Sequence, residues 1–462
     1  MCDAAGVRSA SAGLPSLARL LAATPPAPAE AEAASPCPAT GMDTAAAPAG
    51  LTRRRELALL ATLAAIQFTH VVDFMIMMPL APQLMRLWGI DPKAFGVLVS
   101  AYTFAAAASG LASVFVIDRY DRRHALLALY AGFVLATALC GLAPGYAALL
   151  AARVLAGAFG GVLGAQILAI VADTVPYARR ARANALVASA FSLAAIAGVP
   201  GGLWIATHAS WRAPFLAVAA LSVAVGLAAT WLIPPIAGHV AHGRSRRPLE
   251  RVHAVVAVPN HWRAFAFMLA LVLAGFTVIP FVAAYAVANV GLLEAELPVM
   301  YAVGGVATLV TAQVIGRLAD RYGKKPVYAC VALASIAPIL AVTHMPRSTL
   351  AWFLPVSTLF FVLVPGRFGP AMALVSGSAE PRVRGSFMSF NASVQQFGAG
   401  LAALAAGTIV GRASDGALAG YGWVGWRAAA FTLASVLLAF RIRVVDTASA
   451  RSGPRAAAAS PD

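Results

Sequence analysis

Runs of about twenty apolar residues recur from Leu57 to Phe440, broken only by short polar gaps. A helix rises about 1.5 Å per residue, so twenty residues cross a hydrocarbon core roughly 30 Å thick. Twelve such runs can be laid out, at 56–80, 94–117, 124–143, 147–172, 184–206, 212–234, 263–289, 297–319, 326–343, 349–377, 386–410 and 424–442. The expected fold is therefore all-α and integral to the membrane, with twelve transmembrane helices. Only 11% of the residues are charged and 60% are hydrophobic. Soluble domains carry about a quarter charged residues, so most of this surface does not face water.

The formal net charge is +16, which raises nucleic-acid binding only to exclude it, because the cations sit in the gaps between apolar runs. Alternate gaps are basic: Arg119, Arg122 and Arg123; Arg179, Arg180 and Arg182; Arg244, Arg246, Arg247 and Arg251; Arg321, Lys324 and Lys325; Arg382 and Arg384. The opposite gaps hold isolated cations, Arg86, Lys93, Arg212, Arg347 and Arg412. The positive-inside rule then places both termini and the linker in the cytoplasm and supports an even number of spans. Residues 1–52 are rich in Ala, Pro and Ser and read as a disordered tail. Leu14 to Ala23 is a poor signal-peptide core, interrupted by Ser16 and Arg19, and Met42 is an alternative start. Cys2, Cys37, Cys140 and Cys330 share no metal-ligand or disulfide spacing, and no cofactor or metal is expected.

The chain repeats itself. Asp118-Arg119-Tyr120 returns as Asp320-Arg321-Tyr322, 202 residues later; Pro176-x-x-Arg179 returns as Pro381-x-x-Arg384, 205 later. Ser210-Trp211-Arg212-Ala213 has a looser echo in Gly425-Trp426-Arg427-Ala428, 215 later. Three echoes in order imply duplicated six-helix halves, 53–234 and 263–443, joined by a basic linker at 235–262 and followed by a tail at 444–462. Duplicated halves with a site between them are a common route to alternating access.

These motifs resemble the major facilitator superfamily over residues 55–442. Gly316-Arg317-Leu318-Ala319-Asp320-Arg321-Tyr322-Gly323-Lys324-Lys325 fits the family's loop signature between the second and third helices of a half. In that family it latches the halves on the cytoplasmic side, with the first glycine permitting close helix approach and the second a tight turn. The first-half copy is degraded: Val114 replaces the first glycine, and Asp121 the turn glycine, ahead of Arg122 and Arg123. Asp121 can take left-handed backbone there at modest cost, which would preserve the turn. Arg153-x-x-x-Gly157-x-x-x-Gly161 is similar to the family's fourth-helix element. Gly198-Val199-Pro200-Gly201-Gly202 is similar to the antiporter-associated fifth-helix signature, with Val199 separating Gly and Pro. The resemblance implies two six-helix bundles about a pseudo-twofold axis, and it implies a transporter.

Most spans hold no ionisable residue, and a charge at a helix centre costs about 2.5–3.5 kcal/mol on insertion scales. Asp73 lies about 24 Å along the first span and is the candidate proton carrier, the alternative being a permanent structural partner of an arginine. Arg153 follows the turn Ala143-Pro144-Gly145 by a few residues and either modulates a buried carboxylate or snorkels outward. His70, three residues before Asp73, is a candidate relay or a packing histidine. Arg367, between Pro365-Gly366 and Phe368-Gly369-Pro370, either binds an anionic group or pairs with helix carbonyls. Gln67, Tyr102, Gln166, Gln313, Asn391, Gln395 and Gln396 line a cavity or bond helix to helix. Gly157, Gly160 and Gly161 read as packing surface.

No nucleotide loop, HExxH or GxSxG element is placed for catalysis, so an enzyme is not expected. The expected function is proton-driven efflux of a small organic solute, drug or metabolite, by a monomer in a bacterial inner membrane. Its partners would be the bilayer, the solute and protons. Uptake by symport or facilitated diffusion is the alternative, and a membrane enzyme or sensor without transport is a further one.

Overall fold

The computed structural model describes residues 52–116, 120–234, 248–380 and 383–445. All but Thr52 of the tail expected at 1–52, all but Val444 and Val445 of that expected at 444–462, most of the linker, and Asp118, Arg119, Pro381 and Arg382 lie outside the described residues.

Twelve helical passes follow one another in alternating direction. The first half comprises Arg53–Ile76, Pro92–Val116, Arg122–Leu142, Tyr146–Thr174, Tyr177–Leu193 continued by Val199–His208, and Ala213–Leu232. The second comprises Pro259–Phe276 with its continuation to Val290, then Leu297–Tyr322, Lys324–His344, Leu350–Gly366 with Phe368–Gly377, Arg384–Ile409 and Tyr421–Arg441. Among the described residues, eleven passes are long and apolar enough to span a membrane on composition alone. The remaining one, Arg384–Ile409, has the length at 26 residues but carries Arg384, Asn391, Gln395 and Gln396.

Six tryptophans mark two levels along these helices. Trp231 and Trp262 are exposed at the basic ends of their spans, and Trp204, Trp352, Trp423 and Trp426 at the cation-poor ends. Amphipathic rings prefer the two membrane–water interfaces, so the girdles bracket the hydrocarbon region.

Between helices in lipid there is little hydrophobic drive, and close packing of small residues takes its place. A Cβ on Gly157 would stand 2.1 Å from the Tyr102 carbonyl oxygen, and one on Gly161 2.5 Å from the Ala106 Cα. Gly198 and Gly202 of the fifth span press on Val72 and Ile76 of the first, where a Cβ would meet side-chain carbons at 2.3 and 2.6 Å. Gly201 faces nothing within 4 Å. One proline break is relieved locally: Pro365 offers no N–H to the Phe361 carbonyl, and the Thr308 hydroxyl lies 2.7 Å from it, sharing its one proton with the Gly304 carbonyl at 2.7 Å.

The halves share an apolar core at the cation-poor end, and the second and eleventh spans stay in contact as far as Gly110 and Ser393. That core combines Ile76, Leu80, Phe95 and Leu98 with Phe281, Val282, Met300 and Ala403. Gly96 and Gly407 bring the second and eleventh spans into backbone contact, a Cβ on Gly96 falling 2.7 Å from the Ala403 carbonyl oxygen. Arg86 and Glu294 form a two-pronged ion pair across the same end. Toward the basic end each half keeps its own core: Leu59, Leu63, Ile167 and Ile170 in the first, Phe267, Tyr328 and Phe387 in the second.

Several expectations need correction. Asp121 is not left-handed: at φ −54° it caps the third span, its side chain accepting from the backbone N–H of Arg123 at 2.9 Å and of His124 at 3.1 Å. A carboxylate at an N-cap satisfies orphan amides, so the turn is made by capping. In the intact copy Gly323 does take φ +92°. Gly316 makes no close approach in this conformation, since a Cβ there meets nothing within 4 Å. The linker is shorter than expected, because Pro248–Val256 is helical and the seventh span begins at Pro259. The His261 ring bonds the Val255 carbonyl at 2.8 Å, folding that helix back on the seventh span. A two-stranded ribbon, Gly411–Arg412 with Leu418–Ala419, departs from an all-helical chain; the Asn289 side chain pins it through the Leu418 backbone.

Candidate coupling site in the first bundle

Asp73 sits in the last turn of the first helix and Arg153 in the second turn of the fourth, both toward the cation-poor end. Opposite directions of adjacent passes bring them together. Asp73 is 0% exposed and Arg153 1%. Arg153 Nη1 donates to Asp73 Oδ2 at 3.0 Å and to the Asp73 carbonyl oxygen at 3.3 Å. Thr137 of the third span donates to Asp73 Oδ1 at 3.3 Å. The guanidinium lies over the Tyr102 ring, 4.4 Å from its centroid, adding a cation–π contact in a desolvated setting. Arg153 therefore does not snorkel, and Asp73 does not reach outer solvent.

His70 is one turn away but does not bond Asp73. Its ring packs on Phe133, centroids 5.8 Å apart, and faces bare Gly160 beside the Tyr102 hydroxyl. Both His70 ring nitrogens and the Tyr102 Oη are buried without a protein partner. Gln67 is half-buried opposite Gly164. Nearer the basic end, Arg122 bonds Asp173 at 3.0 Å and the buried Gln166 at 3.4 Å. Arg123 donates to the Thr230 carbonyl at 2.5 Å.

In the second half Asn391 and Gln395 point at the Met372 sulfur at 4.0 and 3.9 Å, and Gln313 is exposed on the eighth span. Gln396 is half-buried. The polar cavity candidates are thus not gathered around one point. Arg367 is fully buried and bonds hydroxyls rather than helix carbonyls. Of the loop motif, Asp320, Arg321, Gly323 and Lys324 are exposed, and Asp320 and Lys324 make no ion pair among the described residues. The motif's first-half pair, Asp118 and Arg119, lies outside them.

Sequence reasoning missed Thr137 as an Asp73 partner, the Arg122–Asp173 and Arg86–Glu294 ion pairs, and a fourth internal echo. Tyr328 donates to Ser435 at 2.6 Å, and Tyr130 and Ser222 occupy the matching places in the third and sixth spans, 198 and 213 residues earlier. Hydroxyls on helices carry no signal of their own in a single sequence, and only the repeat offset points to them.

The Major Facilitator Superfamily profile matches residues 63–403 and, in a second alignment, 265–461. This chain belongs to the Major Facilitator Superfamily. It is thus a multi-pass membrane transporter built on that superfamily's fold. A chloramphenicol resistance protein of Streptomyces lividans is 27% identical over 381 residues, 80% of this chain and 92% of that one. The inner membrane transport protein YdhP of Escherichia coli K12 is 32% identical over 146 residues, 32% of this chain and 38% of its own. Two solved superfamily structures share the fold at a TM-score of 0.67. One is an inward-facing, occupied bacterial homologue of the lysosomal transporter Spinster, 16% identical and covering 85% of this chain and 97% of that one. The other is a D-xylose-proton symporter, 13% identical and covering 85% and 98%.

Proposed function

We propose that this transporter exports a small organic solute, a drug or a metabolite, in exchange for protons, and that Asp73 carries the coupling proton. The observation behind this reading is the enclosed Asp73–Arg153 pair, 3.0 Å long, with neither partner open to solvent. Removing one charge from a buried pair costs about 3–5 kcal/mol, or a factor of at least about a hundred in an equilibrium. Protonating Asp73 therefore leaves an arginine that must be accommodated differently, which is the lever an alternating-access carrier needs. One proton crossing a 100 mV potential supplies about 2.3 kcal/mol, enough for roughly a fifty-fold gradient.

Export is favoured by the Streptomyces lividans relative, a chloramphenicol resistance protein aligned over most of both chains. It is also favoured by Gly198 and Gly202, which pack directly on the stretch of the first span that carries Asp73. With the basic end taken as cytoplasmic, closure at the cation-poor end corresponds to an inward-facing state, and both termini lie in the cytoplasm of a bacterial cell. The loop motif around Asp320 then latches only in the outward-facing state, and the carrier works as a monomer. The test is growth of an efflux-deficient bacterial host on a toxin panel that includes chloramphenicol, with wild type and Asp73→Asn at equal membrane levels. Protection by wild type alone is expected. Equal protection would reduce Asp73 to a structural role, and protection by neither would turn the reading toward uptake.

A further inference from the structure

The second bundle buries a cation that has no counter-charge among the described residues. Arg367 joins the two helices of the tenth span and is 0% exposed. Its Nη1 bonds Thr432 Oγ1 at 3.1 Å and Ser335 Oγ at 3.3 Å. Both hydroxyls spend their proton on helix carbonyls, of Ala428 and Ala332, so they meet the arginine only as neutral acceptors. Nε and Nη2 have no protein partner. The described acids of this half, Glu250, Glu294, Glu296, Asp320, Glu380 and Asp415, all lie at or beyond helix ends. Arg153, by contrast, has Asp73.

The two free nitrogens form one edge of the guanidinium fork. That edge presents two parallel N–H donors, the geometry that takes a carboxylate in a bidentate grip. Nη2 faces Gly275 of the seventh span, where even a Cβ would stand 3.6 Å from it. Directly beyond Gly275 the seventh span leaves α geometry, with a 3-10 turn at Ile279–Phe281 and a π turn at Ala286–Val290. At Gly275 itself, therefore, no side chain stands between the seventh span and Nη2, with Val364 and Ile279 flanking the position. A buried, hydrogen-bond-competent cation without its anion is costly, and a bound anion offsets that cost.

We infer that Arg367, with Ser335, Thr432 and the side-chain-free backbone at Gly275, is a binding site for a single monoanionic group. That group is either the carboxylate of a transported organic acid or a small free anion. The site stands apart from Asp73 and does not depend on Asp73 carrying a proton.

Melting temperatures of purified protein in detergent test this, with sodium benzoate or sodium chloride titrated against sodium sulfate at constant ionic strength. Wild type is expected to show a saturable rise with benzoate, chloride or both. Benzoate alone points to a solute carboxylate, whereas saturation by both, in competition, points to a free-anion site. Arg367→Met should abolish the response. Gly275→Ala, whose nearest new contact is Val364 at 3.4 Å, should fold normally and weaken apparent affinity at least about tenfold by crowding the free edge. The inference is overturned if neither anion stabilises wild type saturably, or if Arg367→Met responds as wild type does. Should Arg367→Met fail to fold, unchanged affinity in Gly275→Ala overturns it equally.

Discussion

Replacing Asp73 by Asn removes one charge from the Asp73–Arg153 pair while keeping the size of the side chain and an acceptor for Thr137. Arg153 retains the Asp73 backbone carbonyl at 3.3 Å and the Tyr102 face at 4.4 Å, so the cost should fall at the low end of the range for an orphaned buried ion. That is about 3 kcal/mol of folding stability. Arg153→Met leaves an acid that can take up a proton and become neutral, so its cost should be smaller, about 1–2 kcal/mol. The double variant buries no charge at all and should be no less stable than Arg153→Met alone. The cycle then gives a coupling energy of at least about 3 kcal/mol, the whole cost of Asp73→Asn alone. Unfolding by denaturant in mixed micelles, followed by tryptophan fluorescence, measures all four proteins. Additive single effects, with coupling below about 0.5 kcal/mol, would refute the claim that the two charges depend on each other.

Two further outcomes follow from the packing. Gly157→Ala should severely lower the yield of folded protein, because its Cβ would lie 2.1 Å from a backbone oxygen, whereas Gly201→Ala, facing nothing within 4 Å, should be silent in the same expression assay. Arg86 is 68% exposed and Glu294 18%, so Glu294→Gln should cost under about 1 kcal/mol in stability. It should nevertheless raise thiol labelling of a cysteine placed at Phe281 on the cation-poor side. Reversing both charges should restore protection, and labelling unchanged by Glu294→Gln would show that this pair does not hold the cation-poor end closed.

The existence of the spans was legible because twenty apolar residues in a row have few other uses. Their ends were less so. The fifth helix begins at Tyr177 rather than near 184, since a cationic first turn is a good helix outside the hydrocarbon. Pro248–Val256 was read as polar linker because its arginine and glutamate masked an amphipathic period in Leu249, Val252 and Val255. Asp121 shows a different limit: the turn was legible, but a side chain that caps replaces a glycine's backbone freedom by another route. Asp73 and Arg153 stood out because a charge inside an apolar run has to be compensated, and the first half offers few partners. Thr137, Tyr130 and Ser435 did not, because a neutral hydroxyl inside an apolar run has no charge to be compensated and so names no partner. Arg367 was conspicuous, yet the lack of a counter-charge depends on the packing of four helices, which no single run of sequence contains. The end at which the halves close is likewise a property of both halves together.

Everted membrane vesicles carrying equal amounts of wild type or Asp73→Asn provide the most direct test of proton-coupled export through Asp73. With the lumen acidified by respiration, labelled chloramphenicol or another toxin identified in the growth assay is followed into the lumen. Wild type should accumulate it, lose it when a protonophore collapses the gradient, and release lumenal protons on solute addition. Asp73→Asn should equilibrate the solute without accumulation. Concentrative, protonophore-sensitive uptake by Asp73→Asn at the wild-type level would contradict the account.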